Sequence, residues 1–148
     1  MIKNNFITLS IQNKINVFAE AASRKALPAV AIEKDWWVTA VLQALFTLPY
    51  AENLSFKGGT SLSKCWNLAE RFSEDVDIAL NREYLGFTGK LTKTQINDKL
   101  RRATCSFVRD NLRFDLAKTL EIQGINKDFF SVCTKNLQSR KQGYEQIE

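Results

Sequence analysis

Residues 55–77 constrain this chain more than any other stretch. Ser55-Phe-Lys-Gly-Gly-Thr-Ser-Leu-Ser-Lys64 runs on to Arg71-Phe-Ser-Glu-Asp-Val-Asp77. Leu54-Ser-Phe56 is short and apolar-biased, as the end of a buried strand is. Gly58-Gly59 takes positive φ without penalty and, lacking side chains, lets a ligand approach the backbone. Thr60 or Ser61 is a suitable N-cap for a helix starting there. From Ser61 to Phe72, the residues Leu62, Cys65, Trp66, Leu68, Ala69 and Phe72 recur mostly at spacings of three and four, which predicts such a helix. Asp75-Val-Asp-Ile-Ala-Leu80 alternates polar and apolar and then turns apolar, as a strand entering a core does.

That order of elements suits a nucleoside triphosphate. A helix beginning just after two glycines presents unbonded N–H groups and a positive dipole end to an anion. Lys57 and Lys64 add two cations within reach of phosphate oxygens. Period two places Asp75 and Asp77 on one strand face. Two same-face carboxylates repel each other, and a divalent cation between them removes the conflict. Magnesium, or manganese, prefers few protein carboxylates with waters and substrate phosphates completing its shell. Taken singly, Gly-Gly-Thr is an ordinary turn and Asp-x-Asp an ordinary solvated strand edge. Their succession, strand, glycines, helix, acidic strand, carries the functional reading.

Lys57-Gly-Gly-Thr-Ser-Leu-Ser-Lys64 and Arg71-Phe-Ser-Glu-Asp-Val-Asp77 resemble the signature of the AbiEii nucleotidyltransferase family, which includes toxins of type IV toxin–antitoxin and abortive-infection systems. Glu33-Lys-Asp-Trp-Trp-Val-Thr39 resembles a further segment of that family, and the likeness covers roughly residues 30 to 80. The resemblance implies a polymerase-β-type nucleotidyltransferase core. It implies that Gly58, Gly59 and Thr60 form the phosphate loop and that Asp75 and Asp77 ligate metal. Lys57, Ser61, Lys64, Arg71 and Ser73 fall on or beside its motif positions and are expected near the nucleotide. It further implies transfer of a nucleoside monophosphate to an acceptor such as RNA or a tRNA end, and a cognate antitoxin. Such cores carry a third carboxylate on a later strand. After Leu80, Asp110 and Asp115 lie in helix-like surroundings and Glu121 begins a weak apolar run, so an incomplete core or a fragment is expected.

Bulk properties fit this reading. At 148 residues the chain suffices for one domain with a real core, expected to span 1–148. A net charge of +5 suits a nucleotide or RNA partner and equally suits many basic proteins without one. Histidine is absent, which excludes histidine triads and histidine acid–base ribonuclease chemistry but not carboxylate–metal chemistry. Cys65, Cys105 and Cys133 show no metal spacing and are expected as buried thiols in a reducing compartment. No signal-peptide core is present, and the apolar stretch Trp36 to Leu48 is too short to span a bilayer, so a cytoplasmic protein without a membrane partner is expected.

The fold class expected is α/β or α+β, a small mixed sheet flanked by helices. Helices are predicted within 10–48, broken at Leu27-Pro28 and stopped by Pro49, with Trp37 on the apolar stripe and Trp36 at its edge. The strand–loop–helix–strand motif occupies 54–80. Asn81 to Lys93 is a glycine-containing loop, and helices occupy 94–140, the first from Thr94 to Leu112 and the last from Phe129 to Ser139. Lys99, Arg101, Arg102, Arg109 and Arg113 make the first of these basic, as an RNA-guiding helix or a solvated face would be. Two other functions compete with nucleotidyl transfer: a nucleotide-binding remnant without catalysis, and an RNA- or partner-binding helical protein whose Asp-x-Asp is incidental.

Overall fold

The computed structural model describes residues 6–66, 75–136 and 145–147. Helix α1 (Ile11–Lys25) is capped by Ser10, whose hydroxyl accepts from the Asn13 N–H, and ends on Ala26 in a left-handed turn. Pro28 interrupts the chain, and α2 (Ala29–Leu45) starts directly after it, the Ala31 N–H bonding back to the Pro28 carbonyl at 2.9 Å. Then come β1 (Leu54–Lys57), α3 (Gly58–Lys64) and β2 (Asp77–Leu80). A helical run succeeds them: the π-helical turn Gln95–Leu100, α4 (Arg101–Phe107), a second π-helical turn Val108–Leu112 and α5 (Arg113–Ile122). The last elements are β3 (Thr134–Asn136) and β4 (Glu145–Ile147).

β1 and β2 pair in one two-stranded sheet, and β3 and β4 pair antiparallel in another, Thr134 opposite Ile147 and Asn136 opposite Glu145. The Asn81 N–H donates to the Asn53 carbonyl at 2.8 Å, so the end of β2 lies beside the start of β1 and the two strands run in opposite directions. The α+β class holds, but in place of one small mixed sheet the described strands form two separate pairs.

The chain divides into two compact units, 1–43 with 56–77, and 44–55 with 78–148. In the first, Ala22, Ala31, Val38, Ala40, Thr60 and Ser61 are buried. Trp36 packs on Phe6 and edge-on against Trp37, and Phe6 packs on Phe18, an aromatic row joining the N-terminal segment to α1 and α2. Trp36 and Trp37 are both half-buried, so Trp37 is not the core residue its stripe position suggested.

The second unit buries Ala44, Leu45, Leu48, Tyr50 and Leu54 together with Leu112, Leu116, Leu120 and Ile125. The spacing of four from Leu112 to Leu120 puts these leucines on one helix face. Tyr50, Tyr84 and Phe107 form a triad of rings with centroids 5.2 to 5.7 Å apart. The helical run continues to Ile122, ten residues beyond the predicted end at Leu112. Over 129–136 the predicted helix is not formed: Lys127–Phe129 is a single 3-10 turn and Thr134–Asn136 is a strand paired with β4, while the remainder of the predicted range, 137–139, lies outside the described residues. A β-branched residue and a partner strand decide this short segment, whose spacing alone also suits a helix. The cysteines are not buried: Cys65 and Cys133 are exposed and Cys105 is half-buried.

Candidate functional site

Strand β1 runs straight into α3 with no intervening loop. Lys57 is the extended residue before the helix, and Gly58 is its first residue, at φ +77°. The helix therefore starts two residues earlier than Thr60, and neither Thr60 nor Ser61 is the N-cap. Both lie in the first turn and are buried, Thr60 to 2% exposure. Their burial reverses the expected face of α3: Leu62, Cys65 and Trp66 point to solvent instead. The first turn of such a helix holds N–H groups with no helical acceptor.

The acidic segment is brought against this turn at two points. The Thr60 hydroxyl donates to the Asp75 backbone carbonyl at 2.6 Å. The Asp77 carboxylate lies against the Gly58 α-carbon, where a Cβ on residue 58 would sit inside it, 3.0 Å from the Asp77 Cγ. Any side chain at position 58 would displace Asp77, which gives Gly58 a steric as well as a conformational reason to be glycine. Strand β2 begins at Asp77, so Asp75 precedes the strand instead of lying within it. Burial still alternates as expected: Asp75 and Asp77 are exposed, Val76 and Ile78 half-buried. Asp77 sets one hard oxygen donor group beside the helix start and Asp75, two residues before it, carries a second exposed carboxylate, the kind of donor magnesium favours. Among the described residues, no group of three or more acidic, cysteine or histidine side chains is placed to hold a metal.

The lysines part company. Lys57 is exposed beside Gly58. The Lys64 ammonium pairs with the Asp35 carboxylate at 2.6 Å and donates to the Thr39 hydroxyl at 3.2 Å. Thr39 in turn donates to the Asp35 carbonyl at 2.9 Å, one helical turn back along α2. With Lys64 four-fifths and Asp35 about half covered, this pair contributes at most about 1 kcal/mol, and its main effect is to fix where Lys64 points. Asp35 and Thr39 fall in the Glu33–Thr39 segment singled out in the sequence, and their spacing of four on a predicted helix was the signal that they share a face. Arg71 and Ser73 lie outside the described residues. A cavity of about 360 Å³ opens between α1 and α2 with Asp35, Trp36 and Thr39 in its wall; none of Lys57, Gly58, Gly59, Thr60, Asp75 or Asp77 lines it.

The later carboxylates considered as a third ligand are engaged elsewhere. Asp110 pairs with Arg109, whose guanidinium holds its carboxyl below the usual range. Asp115 accepts the Tyr50 hydroxyl at 2.8 Å. Burial and this carboxylate push the Tyr50 phenol well above its ordinary value. Glu121 lies in α5, not in a strand. On the basic helical run, Lys99, Arg101, Arg102 and Arg109 are exposed, while the Arg113 guanidinium sits 4.4 Å over the Phe114 ring.

A family model described as nucleotidyl transferase AbiEii toxin, type IV toxin–antitoxin system, matches residues 40–147. The match reaches far beyond residue 80, where the motif resemblance ended, and begins one residue after the Glu33–Thr39 segment. No curated protein and no solved structure matches the chain.

Proposed function

The chain belongs to the AbiEii family of nucleotidyltransferase toxins of type IV toxin–antitoxin systems, and on that premise we propose that it binds a magnesium–nucleoside triphosphate at Gly58–Asp77 and transfers its nucleoside monophosphate to an RNA acceptor. The observation that carries this reading is the seat of the Asp77 carboxylate on Gly58, at the first turn of α3. It joins an anion-attracting helix start to a cation-attracting carboxylate pair, the two halves of a metal–triphosphate site. Gly58 and Gly59 let phosphate oxygens approach the backbone, and exposed Lys57 supplies positive charge beside them. Asp75 and Asp77 would hold the metal. Bound there, the metal would neutralise charge gathering on the triphosphate and orient it. An acceptor hydroxyl would then attack the α-phosphorus in line, its oxygen bonding to phosphorus as the bond to the leaving pyrophosphate breaks and its proton passes to solvent, positioning and charge neutralisation supplying most of the acceleration. The exposed Lys99, Arg101 and Arg102 suit the backbone of an RNA acceptor. A protein antitoxin is the partner this family suggests, and no described helix is long and apolar enough to cross a membrane.

A second reading is favoured by one observation. Asp110 and Asp115, two of the later carboxylates weighed as a third ligand, are paired with Arg109 and Tyr50. A protein that binds nucleotide without transferring it would have this arrangement.

Isothermal titration with magnesium and each nucleoside triphosphate tests the site. Asp77→Ala is expected to abolish magnesium-dependent binding and leave the thermal unfolding midpoint within a few degrees of the parent, since Asp77 is exposed. Unchanged affinity in that variant would remove the metal site from β2.

A further inference from the structure

Thr60 stands in the phosphate-loop motif, where a hydroxyl is expected to face the nucleotide. Its side chain does the opposite. At 2% exposure it is sealed inside the first unit, and its hydroxyl donates to the carbonyl of Asp75 at 2.6 Å. The segment it holds lies just before β2, which begins at Asp77. Two residues on, the Asp77 carboxylate rests on Gly58. Residues 58 and 60 of α3 thus grip residues 77 and 75, one by contact and one by a hydrogen bond.

We propose that Thr60 is a positioning residue: its hydroxyl ties the Asp75 backbone to the first turn of α3 and so sets both carboxylates at the distance from the glycine pair that a shared metal–nucleotide requires. This rests on the reading of Gly58–Asp77 as a metal–triphosphate site. This short, part-buried bond specifies one register between two segments fifteen residues apart in the chain. Removing its donor leaves a carbonyl beside a buried methyl, and the acidic segment must move to find water. A bare hydroxyl contact to phosphate would not require burial, and an exposed Thr60 would not register Asp75.

The test compares Thr60→Val, which keeps the shape and deletes the donor, with Thr60→Ser, which keeps the donor. Amide hydrogen exchange over 75–80 is measured alongside magnesium-dependent binding of the triphosphates. Thr60→Val is expected to speed exchange in 75–80 relative to the rest of the chain and to weaken magnesium-dependent binding about tenfold, the factor that one net hydrogen bond represents. Magnesium-independent binding of the triphosphate should change little, because the phosphate-facing backbone is retained. Thr60→Ser should restore both readouts. Unaltered exchange in Thr60→Val would overturn the proposal, and so would faster exchange with parental magnesium-dependent affinity. Equal losses with and without magnesium would also overturn it, showing instead a direct phosphate contact or general unfolding. A parent protein that binds no triphosphate would fail the functional reading itself, an outcome distinct from a parent that binds and a valine variant that binds equally well.

Discussion

Gly58 carries the tightest residue-scale requirement in the described chain. Its φ of +77° lies where a side chain is strained, and a Cβ there would occupy the space of the Asp77 carboxylate. Gly59 comes next within the helix and has no positive φ. The two glycines are therefore not equivalent, although the sequence shows them as a pair. Gly58→Ala faces a left-handed conformation costing roughly 1–2 kcal/mol, with displacement of Asp77 added. The expected outcome is a stability loss of about 1–3 kcal/mol in urea denaturation together with loss of magnesium-dependent nucleotide binding. A variant as stable as the parent, with full binding, would show that Asp77 does not need its place on the glycine.

At the scale of elements, the long helical run shows how local chemistry and tertiary partners divide the work. Its start is set locally: the Gln95 side chain accepts from the Thr92 N–H at 2.8 Å and the Gln95 N–H donates to the Thr92 hydroxyl at 3.2 Å, a reciprocal capping box. Its extension to Ile122 depends on burial of Leu112, Leu116 and Leu120. The Tyr50–Asp115 hydrogen bond ties α5 to the segment after α2, within the second unit. Tyr50→Phe is expected to cost about 1–2 kcal/mol, because a carboxylate loses a buried donor while staying partly hydrated. The raised Tyr50 phenol makes this contribution depend on pH. The native state keeps a proton that the unfolded chain releases above about pH 10, so the contribution is complete below pH 10 and is lost as pH rises beyond it. Urea denaturation at pH 8 and at about pH 11 should show a loss in the parent that is reduced in Tyr50→Phe. Equal losses in both would remove Tyr50 as its source.

For the whole molecule, the family match over 40–147 places β1, α3, β2, the helical run and both late strands inside one family pattern. The chemistry within it is uneven. Gly58, Asp75 and Asp77 come together, while Asp110 and Asp115 are paired with other side chains. General-base assistance contributes ~100- to 10,000-fold to rate. A transfer assay with total RNA and each of the four triphosphates therefore separates the two readings: label is expected to enter RNA if the chain transfers nucleotide, whereas magnesium-dependent binding without incorporation would mark a nucleotide-binding protein that does not.

The features that the sequence determined by itself were local. The breaks at Pro28 and Pro49, the helices either side of Pro28, the strand before the glycines and the acidic strand after them all arise from short-range sterics and periodicity. The family signature was legible for the same reason, since its residues lie close together in the chain. Tertiary structure alone decided which face of α3 is buried: Thr60 and Ser61 go inside and Leu62 outside, against their hydropathy, with the Thr60 hydroxyl bonded to the Asp75 carbonyl. It also decided that Lys64 serves Asp35 and Thr39, that Asp115 serves Tyr50, and that 134–136 is a strand. Each of these depends on a partner between nine and sixty-five residues away, and hydrogen bonds over such separations leave no period in the sequence for a pattern to show.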